Sequence, residues 1–156
     1  DRQGLAAALE ALTLRFGRET EIHCLFQNDC RHLDLSATQE LQVLRIVQEC
    51  LANIRKHARA HTVRVLLTRE SGGSPNGLAR DALVVLVEDD GVGFRIPAGG
   101  DRAGEHIGLS IMEERARRIG AELRIESEPG EGTRVELMLE TGRRPDRKDR
   151  QERVVA

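Results

Sequence analysis

Glu49, Asn53, Lys56 and His57 stand at i, i+4, i+7 and i+8. That spacing gathers an acid, an amide, an amine and an imidazole on one stripe of a helix. Val43, Val47, Cys50, Ile54 and Ala58 form an apolar stripe beside them. A polar cluster pressed against an apolar seam is costly unless a ligand satisfies it. A solvated polar face is the plain alternative for this helix taken alone.

A second cluster follows an apolar run. Ala82-Leu-Val-Val-Leu-Val87 leads straight into Glu88-Asp89-Asp90-Gly91-Val92-Gly93-Phe94. Asp89 shares strand parity with Leu83, Val85 and Val87, so its carboxylate extends the face those residues occupy. An ionised Asp only accepts hydrogen bonds, and the exocyclic amine of a purine is a suitable donor. Gly91 and Gly93 let the backbone turn and approach a flat ligand with no Cβ in the way. A plain Asp-Gly turn is the alternative. Further on, the glycine-bearing stretch 95–106 ends at His106-Ile107-Gly108-Leu109, where a helix begins. Backbone N–H groups at a helix start attract anions, and Gly108 leaves room for phosphate oxygens. Gly130-Glu131-Gly132-Thr133 then precedes a strand. The Thr133 hydroxyl can meet a base directly or through water, although the tetrapeptide also reads as a hairpin turn.

These clusters need elements to hold them. Leu5, Ala8, Leu9, Leu12 and Phe16 predict a helix over 3–16, with Gly17 placed to end it. Residues 21–26 read as a strand. Ser36 and Gln39 form a capping-box pattern that starts the helix of the first cluster, which runs to about residue 58. Strands are expected at 63–68 and 82–87, the second buried on both faces. Residues 71–80, rich in Gly, Ser, Pro and Asn, read as an exposed loop. Leu109, Met112, Ala116 and Ile119 predict a further helix, and 123–126 and 134–139 two further strands. The expected fold class is α/β (α+β): a two-layer sandwich with a mixed sheet of about five strands and about three helices on one face. Residues 1–141 form one domain in this reading, and 142–156 a charged, disordered tail.

Composition narrows the functional classes. With 156 residues and 39% apolar content, the chain can bury a core. It has no Trp or Tyr and three Phe, so aliphatic side chains fill that core. A net charge of −2, from 24 basic and 26 acidic residues, argues against general electrostatic nucleic-acid binding. Nothing approaches a run long and apolar enough to span a bilayer. The first residue is Asp1 and no signal-peptide pattern follows, so the stretch reads as a piece of a longer protein. Cys24, Cys30 and Cys50 are odd in number and contain no CxxC, which points to reduced thiols in the cytosol. His23, Cys24, Cys30 and His32 fit no common zinc spacing.

Taken in order, the clusters are more specific than any one of them. Gln48-Glu49-x-x-x-Asn53-x-x-Lys56-His57, Asp89-Asp90-Gly91-Val92-Gly93-Phe94, His106-Ile107-Gly108-Leu109-x-Ile111-Met112-x-Glu114-Arg115-Ala116 and Gly130-x-Gly132-Thr133 resemble the ATP-binding catalytic domain of bacterial sensor histidine kinases. That domain sits in the group with gyrase, Hsp90 and MutL, and the details are similar to the nitrate/nitrite-sensor subgroup. The resemblance covers roughly residues 3–140. It implies ATP and Mg²⁺ as ligands, with Asn53 helping to hold the metal on the phosphates and Glu49 activating the attacking group or a metal-bound water. It implies that Lys56 reaches the phosphates, that His57 and His106 line the same site, and that Asp89 takes the adenine amine. Gly91, Gly93, Gly108 and Leu109 shape pocket and lid, and Thr133 matches a base-side threonine.

The resemblance also implies partners: an upstream dimerisation domain whose helical hairpin carries the phospho-acceptor histidine, and a response regulator. The parent would be a homodimer and this stretch a cytoplasmic monomer without membrane contact. Two departures stand out. The stretch Arg95 to His106 lacks the longer, phenylalanine-bearing lid of many histidine kinases, and none of His23, His32, His57, His61 and His106 sits on an acceptor hairpin. A gyrase- or MutL-type ATPase, with Glu49 activating water, and a non-catalytic nucleotide sensor are the competing readings.

Overall fold

The computed structural model describes residues 4–30, 32–73, 79–95 and 107–143. In chain order they form α1 (Gly4–Thr20), β1 (His23–Asn28), α2 (Ala37–Asn53), a π-helical turn (Ile54–Ala58), β2 (Thr62–Gly73), β3 (Ala79–Asp89), α3 (Ile107–Arg118), β4 (Glu122–Ser127) and β5 (Thr133–Arg143). The strands make one mixed sheet in the order β1-β2-β3-β5-β4. Among the described residues only the β1–β2 pairing is parallel. The expected two-layer sandwich of five strands and three α-helices is the fold observed.

Strand parity builds the inner layer. Val65 and Leu67 of β2 pair across to Val87 and Val85 of β3, and Val63 pairs with Asp89; Leu83, Val85 and Val87 pair in turn with Leu139, Leu137 and Val135 of β5. The nine aliphatic residues are all buried in one core cluster with Leu5, Leu9 and Phe16 of α1, Val43, Ile46, Val47, Cys50 and Leu51 of α2, and Leu109, Met112 and Ala116 of α3. Each such aliphatic side chain contributes about 1.5–3 kcal/mol relative to exposure, which fixes the helices to that face. The first cluster's apolar stripe, Val43 to Ala58, is buried along its whole length. The helix also starts where the sequence places it. Ser36 Oγ accepts from Gln39 N at 3.1 Å, and Gln39 Oε1 accepts from Ser36 N at 2.9 Å.

On the outer face of β3, Val84 and Leu86 are buried with no described helix over them. Val84 lies between Thr68 and Met138, and Leu86 between Leu66 and Glu136. Beside them Glu88 pairs with Arg64 and Arg134, both at 3.6 Å. The stems of these long side chains cover apolar surface while their charges stay wet.

Three local expectations change. The helix over 3–16 continues to Thr20, and Glu21, at φ 61°, takes the left-handed position expected of Gly17. Gly17 serves close packing instead: a Cβ there would lie 3.3 Å from both Cys24 Sγ and the Ile22 carbonyl oxygen. Of the loop expected at 71–80, residues 71–73 and 79–80 are strand, because β2 runs to Gly73 and β3 starts at Ala79; 74–78 lie outside the described residues. Ser71 Oγ donates to the buried Asp81 carboxylate at 3.1 Å, so cross-strand pairing overrides turn-like composition. The last strand continues through Gly142 and Arg143, past the boundary at 141. Residues 144–156 of the expected tail lie outside the described residues. Among the described residues, no helix is long and apolar enough to cross a membrane.

Candidate nucleotide site

A cleft of about 840 Å³ opens between the end of α2, the start of α3 and the ends of β3 and β5. From α2 and the π-helical turn it takes Glu49, Asn53, Lys56 and His57, the four residues of the first polar stripe. From the sheet it takes Asp89 and Thr133, which face each other as register partners across β3 and β5. Gly93, Gly108 and Leu109 also line it. Nine of the eleven predicted site residues therefore meet in one cavity. Gly91 does not line it, and His106 lies outside the described residues.

The polar stripe is continuous because the helical path does not stop where α2 ends, at Asn53. Its chain passes into the π-helical turn, with Ile54 N bonded to the carbonyls of both Cys50 and Leu51. Single π turns inside helices recur at functional sites. Arg59, at φ 49°, ends the turn in the left-handed region. Gly91 explains how the turn is held. A Cβ on Gly91 would lie 2.1 Å from the Ala58 carbonyl oxygen, so only glycine permits this approach. Val92 N donates to that same carbonyl at 2.7 Å. Gly91 thus joins the sheet turn to the helix end that carries Lys56 and His57, and shapes the pocket from behind.

Asp90 completes the join. Its Oδ1 accepts from His61 N and Thr62 N, both at 2.8 Å. The Thr62 N–H group is the main influence holding this carboxyl below its ordinary value of 3.8; burial opposes it, and the His61 N–H group adds to the lowering. A depressed carboxylate stabilises the fold above the unfolded value, and that contribution is lost as pH falls through the folded value. Asp90→Ala is expected to cost about 1 kcal/mol at neutral pH, the size of a net hydrogen bond at an exposed site. The gap from the parent chain should close as pH drops below the ordinary Asp range. Urea unfolding at several pH values measures it; a gap constant with pH would refute the assignment.

Burial is the main influence on Asp89 and raises its pKa from the ordinary 3.8. The hydrogen bond from Gly91 N, at 2.8 Å to Oδ1, opposes this, and the Asp90 charge adds to it. Among the described residues no other donor reaches the Asp89 carboxylate, which leaves an acceptor directed at the cleft. Cys50, on the cleft floor, is pushed up to about 12 by burial and then by Glu49, so it is an unreactive thiol. Its Sγ lies 3.4 Å from Met112 Sδ. Cys50, Ile54, Val87, Phe94, Met112 and Val135 give the cleft an apolar floor and wall suited to a flat ring.

The start of α3 lies against the polar stripe. A Cβ on Gly108 would meet Asn53 Oδ1 at 3.0 Å and Glu49 Oε2 at 3.4 Å. Asn53 Nδ2 would lie as near, at 3.1 Å, so the Asn53 amide and the Glu49 carboxylate both lie against the N-terminus of α3. Oxygen ligands from one or two side chains, with water filling the other positions, suit Mg²⁺ on a nucleotide. The Asn53 carbonyl oxygen is a ligand of the kind that ion takes.

The family model described as histidine kinase-, DNA gyrase B-, and HSP90-like ATPase matches residues 38–143. The sensor histidine kinase ComP of Bacillus subtilis is 30% identical over 140 residues, covering 88% of this chain and 16% of its own length. The nitrate/nitrite sensor protein NarQ of Escherichia coli is 32% identical over 111 residues, covering 70% of this chain and 18% of its own. Among solved structures, the histidine kinase domain of the blue-light activated kinase EL346 from Erythrobacter litoralis aligns with a TM-score of 0.63 at 25% identity. That alignment covers 88% of this chain and 61% of the other. The chain spans less than a fifth of the length of ComP and of NarQ.

Proposed function

We propose a phosphoryl-transfer role for this chain, which belongs to the family of histidine kinase-, DNA gyrase B- and HSP90-like ATPases. It is the ATP-binding catalytic domain of a sensor histidine kinase. In the proposed reaction it binds Mg-ATP and directs the γ-phosphate to a histidine on an upstream helical dimerisation domain. From there the phosphate is relayed to an aspartate of a response regulator. The parent protein is a homodimer in this reading, and this domain works in the cytoplasm.

The observation that carries the proposal is the composition of one cleft. An acceptor carboxylate on the sheet, apolar walls, and a helix stripe of carboxylate, amide, ammonium and imidazole all open into it. Asp89 takes the exocyclic amine of adenine, with Thr133 beside it. Lys56 and the N–H groups at the start of α3 attract the phosphates. Asn53 would hold Mg²⁺, which when bound would neutralise charge on the phosphate oxygens. Positioning and charge compensation are the main needs of phosphoryl transfer. The acceptor imidazole nitrogen attacks the γ-phosphorus, the bond to the β–γ bridging oxygen breaks, and ADP leaves. Glu49 receives the proton lost by the imidazole. His57 lines the phosphate side of the cleft.

Titration calorimetry with a non-hydrolysable ATP analogue tests the reading. Binding is expected with Mg²⁺ and should weaken when the metal is chelated. An absence of heat at sub-millimolar protein would overturn it.

A further inference from the structure

Ser127, at the end of β4, is buried and lies behind the cleft without lining it. Its hydroxyl is the meeting point of three groups. Phe94 N donates to Ser127 Oγ at 2.9 Å. Ser127 Oγ donates to the Gly132 carbonyl at 3.0 Å. Thr133 Oγ1 lies 2.8 Å away. A hydroxyl has one hydrogen and two lone pairs. The Gly132 carbonyl can only accept, so it claims the hydrogen. Phe94 N–H takes one lone pair. The remaining lone pair can be satisfied only if Thr133 donates its own hydrogen to Ser127. Thr133 then has no hydrogen left for the cleft, and its lone pairs face the ligand.

We propose that Ser127 is a positioning residue that fixes Thr133 as a hydrogen-bond acceptor, so that the cleft selects a 6-amino purine against a 6-oxo purine. The inference rests on the reading that this cleft binds a purine nucleotide. Asp89 and Thr133 are register partners on the same face, so two acceptors stand side by side at the base. An amino group has two hydrogens to offer such a pair, whereas an oxo group places its lone pairs against theirs. Selectivity of this kind comes from rejecting the wrong ligand as much as from holding the right one. Without the Ser127 hydroxyl, the Thr133 hydroxyl turns freely and can donate to a 6-oxo group.

Calorimetric titration of the 156-residue chain with Mg-ADP and Mg-IDP tests this. The two differ at the purine 6-position and neither carries a transferable γ-phosphate. The parent chain is expected to prefer ADP. Ser127→Ala should reduce the ADP-to-IDP affinity ratio about five- to tenfold, the worth of one hydrogen bond changing sense. Ser127→Thr, which keeps the hydroxyl, should restore the ratio. If Ser127→Ala weakens both nucleotides equally, Ser127 is merely structural and the inference is overturned. If the parent chain binds neither nucleotide, the functional reading itself fails. Should Ser127→Ala not fold, as circular dichroism would reveal, Thr133→Val decides. A reduced ratio in that variant supports the proposal, and an unchanged ratio refutes it.

Discussion

Asp89→Asn is expected to lower the affinity for Mg-ADP by about ten- to a hundredfold, the worth of a hydrogen bond to a charged acceptor. The carboxylate does two jobs: Oδ1 accepts from Gly91 N at 2.8 Å, and the rest of the group faces the cleft. An asparagine cannot do both. With its carbonyl oxygen on Gly91 its NH₂ meets the adenine amine, donor against donor. With the amide turned over, the Gly91 N–H is left facing that NH₂. Glu49→Gln, by contrast, should change Mg-ADP affinity by about twofold or less, because Glu49 is assigned to the transferred group. Equal losses in the two variants would abolish the division between base recognition and chemistry. The pH dependence has a definite sign. Burial raises the Asp89 pKa, so the binding-competent carboxylate is lost, as pH falls, at a pH above the ordinary value of 3.8. The Asn variant should lack that fall.

Gly91→Ala is expected to destabilise the domain by about 3 kcal/mol, at the upper end of ordinary overpacking. The new methyl would lie 2.1 Å from the Ala58 carbonyl oxygen and 2.8 Å from Ala58 Cβ. Backbone must move, and what moves is the end of the π-helical turn that carries Lys56 and His57. Nucleotide affinity should therefore fall with stability. Gly120→Ala is the comparison. Gly120 has φ 66° but nothing within 4 Å of an added Cβ, so it should cost about 1 kcal/mol from backbone conformation alone and leave nucleotide affinity unchanged. Chemical unfolding and Mg-ADP titration of the two variants separate the cases. A Gly91→Ala protein as stable as the Gly120→Ala protein would contradict the packing described.

Much of the site was legible before any coordinates. The 3.6-residue period placed Glu49, Asn53, Lys56 and His57 together, and the period of two placed Asp89 on the face of Leu83, Val85 and Val87. The capping box marked the start of α2. Less legible was what each glycine does. Gly91 reads as a pocket glycine and turns out to pack on Ala58, and Gly17 reads as a helix stop and packs beside Cys24. Ser127 gave no local signal, although a hydroxyl residue paired across a short hairpin with Thr133 could have been suspected.

The sequence by itself determined the identity and order of the elements and which face of each carries polar groups. Those properties are written in spacings of two to eight residues, and the chain's own geometry enforces them. Tertiary structure alone decided that the turn after Asn53 is wide and pinned by Gly91 and Asp90. It likewise decided that β2 and β3 extend into a turn-like stretch from either side, and that a buried serine reaches Phe94, Gly132 and Thr133 at once. The physical reason is distance along the chain. Ala58 and Gly91, or Phe94 and Ser127, lie more than thirty residues apart in sequence. Their contacts exist only once the helices have been pressed onto the sheet by the apolar core.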